Sequence, residues 1–378
     1  MADIKVLRIR SIEMKKIIVV LLIIALAGTA LYANGNSDTQ SETTGSDREF
    51  VEKYPEIAYG PVDGKSMKDY KFGFSFGGIA DYANPVEGMA NMAASELGIP
   101  DITIQTPQNW VQNEQNQKLD GLIASGMKGI FMMTSEPTAG NEQINKMVDA
   151  GIFIVTMGGP PALPSKSTLT LATDVYQSAY DATIIVIEAI GKKGNVVGLS
   201  GSLNDTNTQK RFKGIEDACA NYPDVTLLQL VGDISSAESS MTKVGDLLAA
   251  RGSEIDGLVA MDYYAAFATA AYMLENDNYD HIKAVGIDSD DKVIEAIKAG
   301  KMVGTMSQNP WAQAYISMYT LKMLADGWTY KDGQPAVVDS GSYLIDASTV
   351  DDYEPMVIGE TMKMMQTWTD RFDPPAGR

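Results

Sequence analysis

From Tyr70 onward the chain alternates between short apolar runs and longer amphipathic ones, and this alternation restricts the fold more than any other feature. KFGFSF reads as a strand and precedes a helix from Pro85 to Leu97; DITIQT is the next strand, before a helix from about Asn113 to Ser125. The strand GIFMM, a helix marked by Ile144, Met147 and Val148, and the strand IFIVTM repeat the unit. Consecutive parallel strands need a crossover connection, so strict βαβα order predicts a parallel sheet with helices on both faces. Thr168 to Ala172 forms a brief strand, and the long Ile- and Ala-rich helix after Asp174 places a first crossing between lobes near Ala172. A second series then runs through NVVGLS, a helix to Ala220, VTLLQLV, a helix from Ala237 to Ala250, GLVAM and a helix from Tyr263 to Leu274.

The stretch from Ile282 to Trp311 closes that series. Lys283 to Ile287 and Met302 to Met306 read as strands around a helix whose apolar residues Val293, Ile294 and Ile297 share one face, with Gly300 ending it. Asp288 and Gln308 therefore leave the carboxyl ends of neighbouring strands, the edge of an open parallel sheet where ligands bind. Each has a competing use, since Asp288 can cap the following helix, a task open also to Ser289 or Asp290, and Gln308 can cap the helix begun by Pro310. Asp262, Tyr263 and Tyr264 leave GLVAM toward the same edge, and Asp262 is equally a helix cap. Tyr82 lies in the Gly-rich loop FGGIADYANP, either in the cleft or packed beneath the loop. Trp110 and Trp311 suit an aromatic wall or packing between lobes, while Met133, Met157 and Met261 end three strands and form either core or an apolar floor.

A chain of 378 residues exceeds one ordinary domain, which makes two lobes the expectation. Its net charge of -19 argues against nucleic acid or an anionic membrane surface as partner. Catalytic and cofactor motifs are missing: His281 is the single histidine and sits in the polar loop NDNYDHIK, and neither GxGxxG nor GxxxxGK[ST] occurs, so neither an enzyme nor a bound cofactor or metal is expected. Cys219 is alone and reads as a core residue. At the start of the chain, Met14-Lys15-Lys16, the apolar run Ile17 to Leu26, and small residues at Gly28 and Ala30 have the layout of a secretory signal peptide. Cleavage near Ala30 or Ala33 is the expectation and an uncleaved anchor the alternative; without a cysteine there, lipid anchoring is excluded. Residues 34–48 contain little to bury and read as a disordered tether.

From about Tyr70 to Gly327 the chain resembles the type I periplasmic binding proteins, the ribose- and galactose-binding receptors of ABC importers. The segments that carry the resemblance are Gln115 to Gly126 with MKGIFMMTSEP, DAGIFIVTM, Arg211-Phe212-Lys213-Gly214, AMDYYAAFATAAYMLE, and AVGIDSDDKVIEAIKAG with VGTMSQNP. The resemblance implies two Rossmann-like lobes, three hinge segments and a ligand enclosed by closure. It puts Asp288 and Gln308 where the family hydrogen-bonds sugar hydroxyls, Tyr82 or Ala83 where it stacks an aromatic on a sugar ring, and Gln209 at a position often occupied by Arg. It also exposes departures. Gly158-Gly159 replaces a ligand Asp-Arg pair, Met133 and Met261 replace asparagines, and Ser235 or Ser236 replaces an aromatic. Arg211, one turn into its helix, reads as a structural ion-pairing residue.

The expected fold is therefore α/β, two parallel-sheet lobes joined by a three-segment hinge. The expected divisions are a signal peptide over 1–33, a tether and lead-in over 34–69, a first lobe of 70–172 plus 308–337, and a second of 173–307 plus 338–378. The expected function is a periplasmic solute-binding protein of an ABC importer, monomeric, that passes a small neutral ligand, a sugar or polyol, to a permease. A nucleoside or other aromatic metabolite, or a ligand-sensing role toward a chemoreceptor, are the alternatives. The expected ligand-facing residues are Asp288, Gln308, Tyr82, Gln209, Asp262, Tyr263, Trp110, Met133, Met261 and Gly158.

Overall fold

The computed structural model describes residues 60–376, apart from 62–63, 80–81, 83 and 101; the expected signal peptide, the tether through residue 59 and Ala83 lie outside the described residues. A first sheet is built from β1 (Phe72–Ser75), β2 (Ile102–Ile104), β3 (Gly129–Met132), β4 (Phe153–Met157), β5 (Leu169–Ala172) and β12 (Val337–Asp339). Its order is β12-β5-β4-β3-β1-β2 and every pairing is parallel. Helices α1 (Asn84–Glu96), α2 (Gln112–Ala124) and α3 (Pro137–Asp149) supply its crossovers.

The second sheet contains β6 (Gly194–Leu199), β7 (Val225–Val231), β8 (Gly257–Ala260), β9 (Lys283–Ile287), β10 (Gly304–Gln308) and β13 (Ser342–Asp346), in the order β13-β10-β9-β8-β6-β7. Only β13 runs antiparallel, against β10. Its helices are α4 (Val175–Ala189), α5 (Thr206–Ala220), α6 (Ala237–Arg251), α7 (Tyr263–Glu275) and α8 (Asp291–Lys298). β1, β3 and β8 are buried at every residue, as expected of parallel strands covered on both faces. In both sheets the first strand lies between the second and third, so each has a switch point at its carboxyl edge, where the crossovers diverge to opposite faces and leave a crevice.

The chain passes from the first sheet to the second after β5, returns after β10 into α9 (Pro310–Ala325), and leaves again between β12 and β13. Helix α9 is buried from Pro310 to Leu324 because the sheet, α1 and a C-terminal helix surround it. Its polar residues are served internally: Lys322 pairs with Asp326 beneath the Tyr70 ring, 4.5 Å from its centroid, and Tyr319 donates to Glu96 of α1 at 2.9 Å. The C-terminal helix, α10 (Tyr353–Met365), corrects the sequence division that placed 338–378 wholly with the second lobe. β13 joins the second sheet, but Val357 and Met365 of α10, with Trp368 and Phe372, are buried in the core shared by α1 and α9. Apolar contact with α9 outweighs the chain's proximity to β13.

Gly214, in the segment Arg211-Phe212-Lys213-Gly214, lets α5 lie directly on α4. A Cβ there would stand 2.4 Å from the Tyr176 carbonyl oxygen and 3.0 Å from the Tyr180 nitrogen, both backbone atoms that cannot rotate away. Gly214→Ala is therefore expected to destabilise by about 1–3 kcal/mol despite alanine's better helix propensity. Urea denaturation measures it, and an unchanged or raised midpoint would contradict this account of the α4–α5 contact.

Candidate functional site

Asp288 directly follows β9 and takes φ +63°, the left-handed region that few residues other than Gly, Asn and Asp enter readily. The turn is held on both sides, with the Asp288 N–H donating to the Met306 carbonyl at 3.0 Å and the Thr305 hydroxyl to the Asp288 carbonyl at 2.8 Å. Gln308, which ends β10 rather than following it, is only 8% exposed, and its Nε2 donates to Asp288 Oδ1 at 2.9 Å. Neither residue is a helix cap. Asp290 caps α8 through the Lys292 N–H at 2.8 Å, and Asn309 caps α9 through the Ala312 N–H at 2.9 Å.

The pair opens into a cavity of about 620 Å³ between the lobes. Tyr82 and the start of α1 form one side, Tyr263, Asp290 and Asp291 another, and Trp311 with Tyr353 and Glu354 the third. Each aromatic is positioned by a partner. Tyr82 stacks on Phe76 at 6.0 Å between centroids and donates its hydroxyl to Gln313 Oε1 at 2.8 Å; Gln313 in turn donates to the Ser340 hydroxyl at 2.9 Å, beside the third crossing. The Tyr263 hydroxyl donates to Asp290 Oδ2 at 2.8 Å, and Trp311 meets the edge of Tyr353 at 6.5 Å. Tyr82 is thus both packed beneath its loop and a wall of the cavity.

Burial pushes the Asp288 carboxyl up to about 6, against the opposing pull of the Gln308 hydrogen bond and the Arg211 charge. Burial and the Asp288 charge also raise the Tyr82 hydroxyl, so side chains of the two lobes act on each other across the cleft. Arg211 does not behave as the sequence predicts. It is 9% exposed, its Nε is buried without a hydrogen-bond partner, and no carboxylate lies within ion-pairing distance among the described residues. Instead its charge partly offsets the upward shifts that burial gives Asp288, Tyr82 and Asp262.

Six of the expected residues do not line the cavity. Asp262 caps α7, accepting the Tyr264 N–H at 3.1 Å, and burial raises its carboxyl. Gln209 is exposed and ties down its own loop by donating to the Leu203 carbonyl at 3.1 Å. Trp110 is 45% exposed at the rim, set edge-on to Phe76 at 5.3 Å in space that only Gly77 and Gly78 leave free. Met261 is fully buried in the core beneath β8, as Met157 is under β4. Met133 packs over Gly158, whose φ of +72° and lack of a Cβ admit its sulfur. Asp288, Gln308, Tyr82 and Tyr263 are brought together. Tyr353 and Glu354 were absent from the sequence reading, and only the docking of α10 brings them to this cavity.

The raised Asp288 value has a consequence for stability. With an ordinary value of 3.8 and a folded value of about 6, the ionised form is the one the fold disfavours. The associated stability is present below about pH 4 and is lost as pH rises through about 6. Asp288→Asn, which keeps an acceptor for Gln308 and suits φ > 0, should stabilise the protein at neutral pH by about 1–2 kcal/mol, a figure discounted for partial solvent screening. It should also flatten the fall in stability between pH 4 and pH 6. Urea melts on either side of that window test this, and an undiminished fall in the variant would refute it.

The family model of the periplasmic binding protein domain matches residues 72–329. Among curated proteins, the xylitol-binding protein of Mycolicibacterium smegmatis is 26% identical over 195 residues, which cover 52% of this chain and 55% of that protein. The D-apiose import binding protein of Paraburkholderia graminis is 25% identical over 222 residues, 58% of this chain and 69% of that one. The chain thus spans about half the length of the first relative and about two thirds of the second. Among solved structures, AraP, an arabinose binding protein from Geobacillus stearothermophilus, superposes with a TM-score of 0.67 at 24% identity, covering 74% of this chain and 97% of AraP. That likeness is one of fold.

Proposed function

Because the chain belongs to the periplasmic binding protein domain family, we propose that it is an extracytoplasmic receptor that captures a sugar or polyol between its lobes for an ABC importer. The observation that carries this reading is the Asp288–Gln308 pair at the carboxyl ends of adjacent strands. Gln308 Nε2 gives one of its two N–H groups to Asp288 Oδ1, which leaves Asp288 Oδ2 and Gln308 Oε1 as acceptors on two residues that line the cavity. Vicinal hydroxyls can donate to both at once. The names of the relatives, which bind xylitol and import D-apiose, agree with a ligand of that chemistry.

Closure would be a rotation of one lobe on the other about residues 173–174, 309 and 340–341, the connections between the sheets. Tyr82 and Trp311 come from one side of that motion, Asp288 and Tyr263 from the other, so a ligand touching all four rewards the closed state over the open one. A membrane permease is the partner that such a receptor serves, and periplasmic residence as a monomer is part of the same proposal.

A thermal-shift panel of pentoses, hexoses, polyols and nucleosides should return stabilisation with a sugar or polyol. Calorimetry on Asp288→Ala and Gln308→Ala should then show affinity reduced by roughly 10- to 100-fold, the worth of one charge-assisted hydrogen bond in a buried site. Affinity unchanged in both variants would remove the site assignment, and stabilisation by nucleosides alone would replace the ligand class.

A further inference from the structure

The cavity carries more acidic side chains than recognition of hydroxyls requires. Besides Asp288, its lining includes Asp290 and Asp291 at the start of α8 and Glu354 in the first turn of α10, and no Lys, Arg or His. Asp290 is engaged by the Tyr263 hydroxyl and the Lys292 N–H. Asp291 and Glu354 stand exposed at the mouth, and neither has a salt bridge among the described residues; the nearby Lys292 pairs with Glu295 at 2.9 Å and Lys298 with Asp351 at 2.7 Å. Arg211 acts on Asp288, and Lys292 feels the charge of Asp290, but neither cation lines the cavity.

A second observation points inward. Gln308 is 8% exposed and lines the cavity, one of its two amide N–H groups donates to Asp288, and its Oε1 accepts from nothing among the described residues. With Gln308 Oε1 and the carboxyls of Asp288, Asp291 and Glu354, the lining offers more acceptors than donors. An anionic ligand is repelled by this lining, and the chain's net charge of -19 adds to the repulsion. A neutral polyol meets Asp288 and Gln308 but leaves the carboxyls at the mouth uncompensated. An ammonium group offers three donors and a compensating charge, and four aromatic residues, Tyr82, Tyr263, Trp311 and Tyr353, line the same space.

We propose that the cavity selects a sugar or polyol bearing a basic amino group, with its hydroxyls on Asp288 and Gln308 and its ammonium directed to Asp290, Asp291 and Glu354. This rests on the reading of the cavity as the ligand site of a sugar or polyol receptor. Calorimetry at neutral pH would compare matched neutral, amino-deoxy and acid members of the galactose, glucose, sorbitol and xylitol series. Within whichever series binds, the amino member is expected to bind about 10-fold more tightly than the neutral one, the sum of a few partly exposed charge contacts, and the acid member most weakly. The amino-to-neutral ratio should shrink as salt is raised and in Glu354→Gln and Asp291→Asn. A neutral member that binds as tightly as its amino counterpart would overturn the inference and leave the sugar-receptor reading standing. Absence of binding in every series would overturn that reading, and the inference with it.

Discussion

The parallel direction of the strands is the constraint on which the molecule depends. A crossover connection returns the chain to the same starting edge, so the carboxyl ends of the parallel strands emerge together. In the second sheet this brings the residue after β9 and the last residue of β10 into contact, although 20 positions separate Asp288 from Gln308 in sequence. No loop has to find that geometry. Ladder bonds between β9 and β10 set the register, and the left-handed turn at Asp288 aims its side chain at its neighbour. The site inherits its precision from the sheet.

Helix α9 carries a second constraint, because it links the lobes and also fills the centre of one of them. It starts at the site, with Asn309 as its cap and Trp311 in the cavity wall, and runs into a core where it is covered on every side. Gln313 in its first turn joins the Tyr82 hydroxyl to Ser340 beside the third crossing. A ligand that touches Tyr82 is thus two hydrogen bonds from a segment that must change its backbone angles when the lobes move. Coupling between capture and closure requires only that these contacts differ between the open and closed states.

Much of this was legible in the sequence, for identifiable reasons. Strand and helix alternation shows because buried parallel strands are short continuous apolar runs, distinct from amphipathic helices. Asp288 and Gln308 show because position at a strand end is a one-dimensional property. The failures concern direction and docking. Met261 and Met133 each follow a strand by one residue, but the first is wholly enclosed in the core and the second packs partly buried against Gly158, a difference set by their neighbours and not by strand position. Tyr353 and Glu354 reach the site only because α10 docks on α9, and an amphipathic helix does not announce which sheet will cover its apolar face. Arg211 was read as half of an ion pair because it lies one turn into its helix. Here the acidic groups it influences, Asp288 in the cavity wall and Asp262 at the cap of α7, lie beyond ion-pairing distance.

That arrangement gives the site its electrostatic character. A buried carboxyl in the left-handed region, one fixed amide and one guanidinium with an unpaired Nε are each unfavourable for the fold taken alone. They persist because the surrounding sheet and helices over-determine their positions. Water in the open cleft can serve these groups only at the expense of ordering it, whereas a ligand with matched donors replaces that water with groups already linked covalently. The gain on binding is greatest where the empty protein is least comfortable, and in this molecule that place is the end of β9.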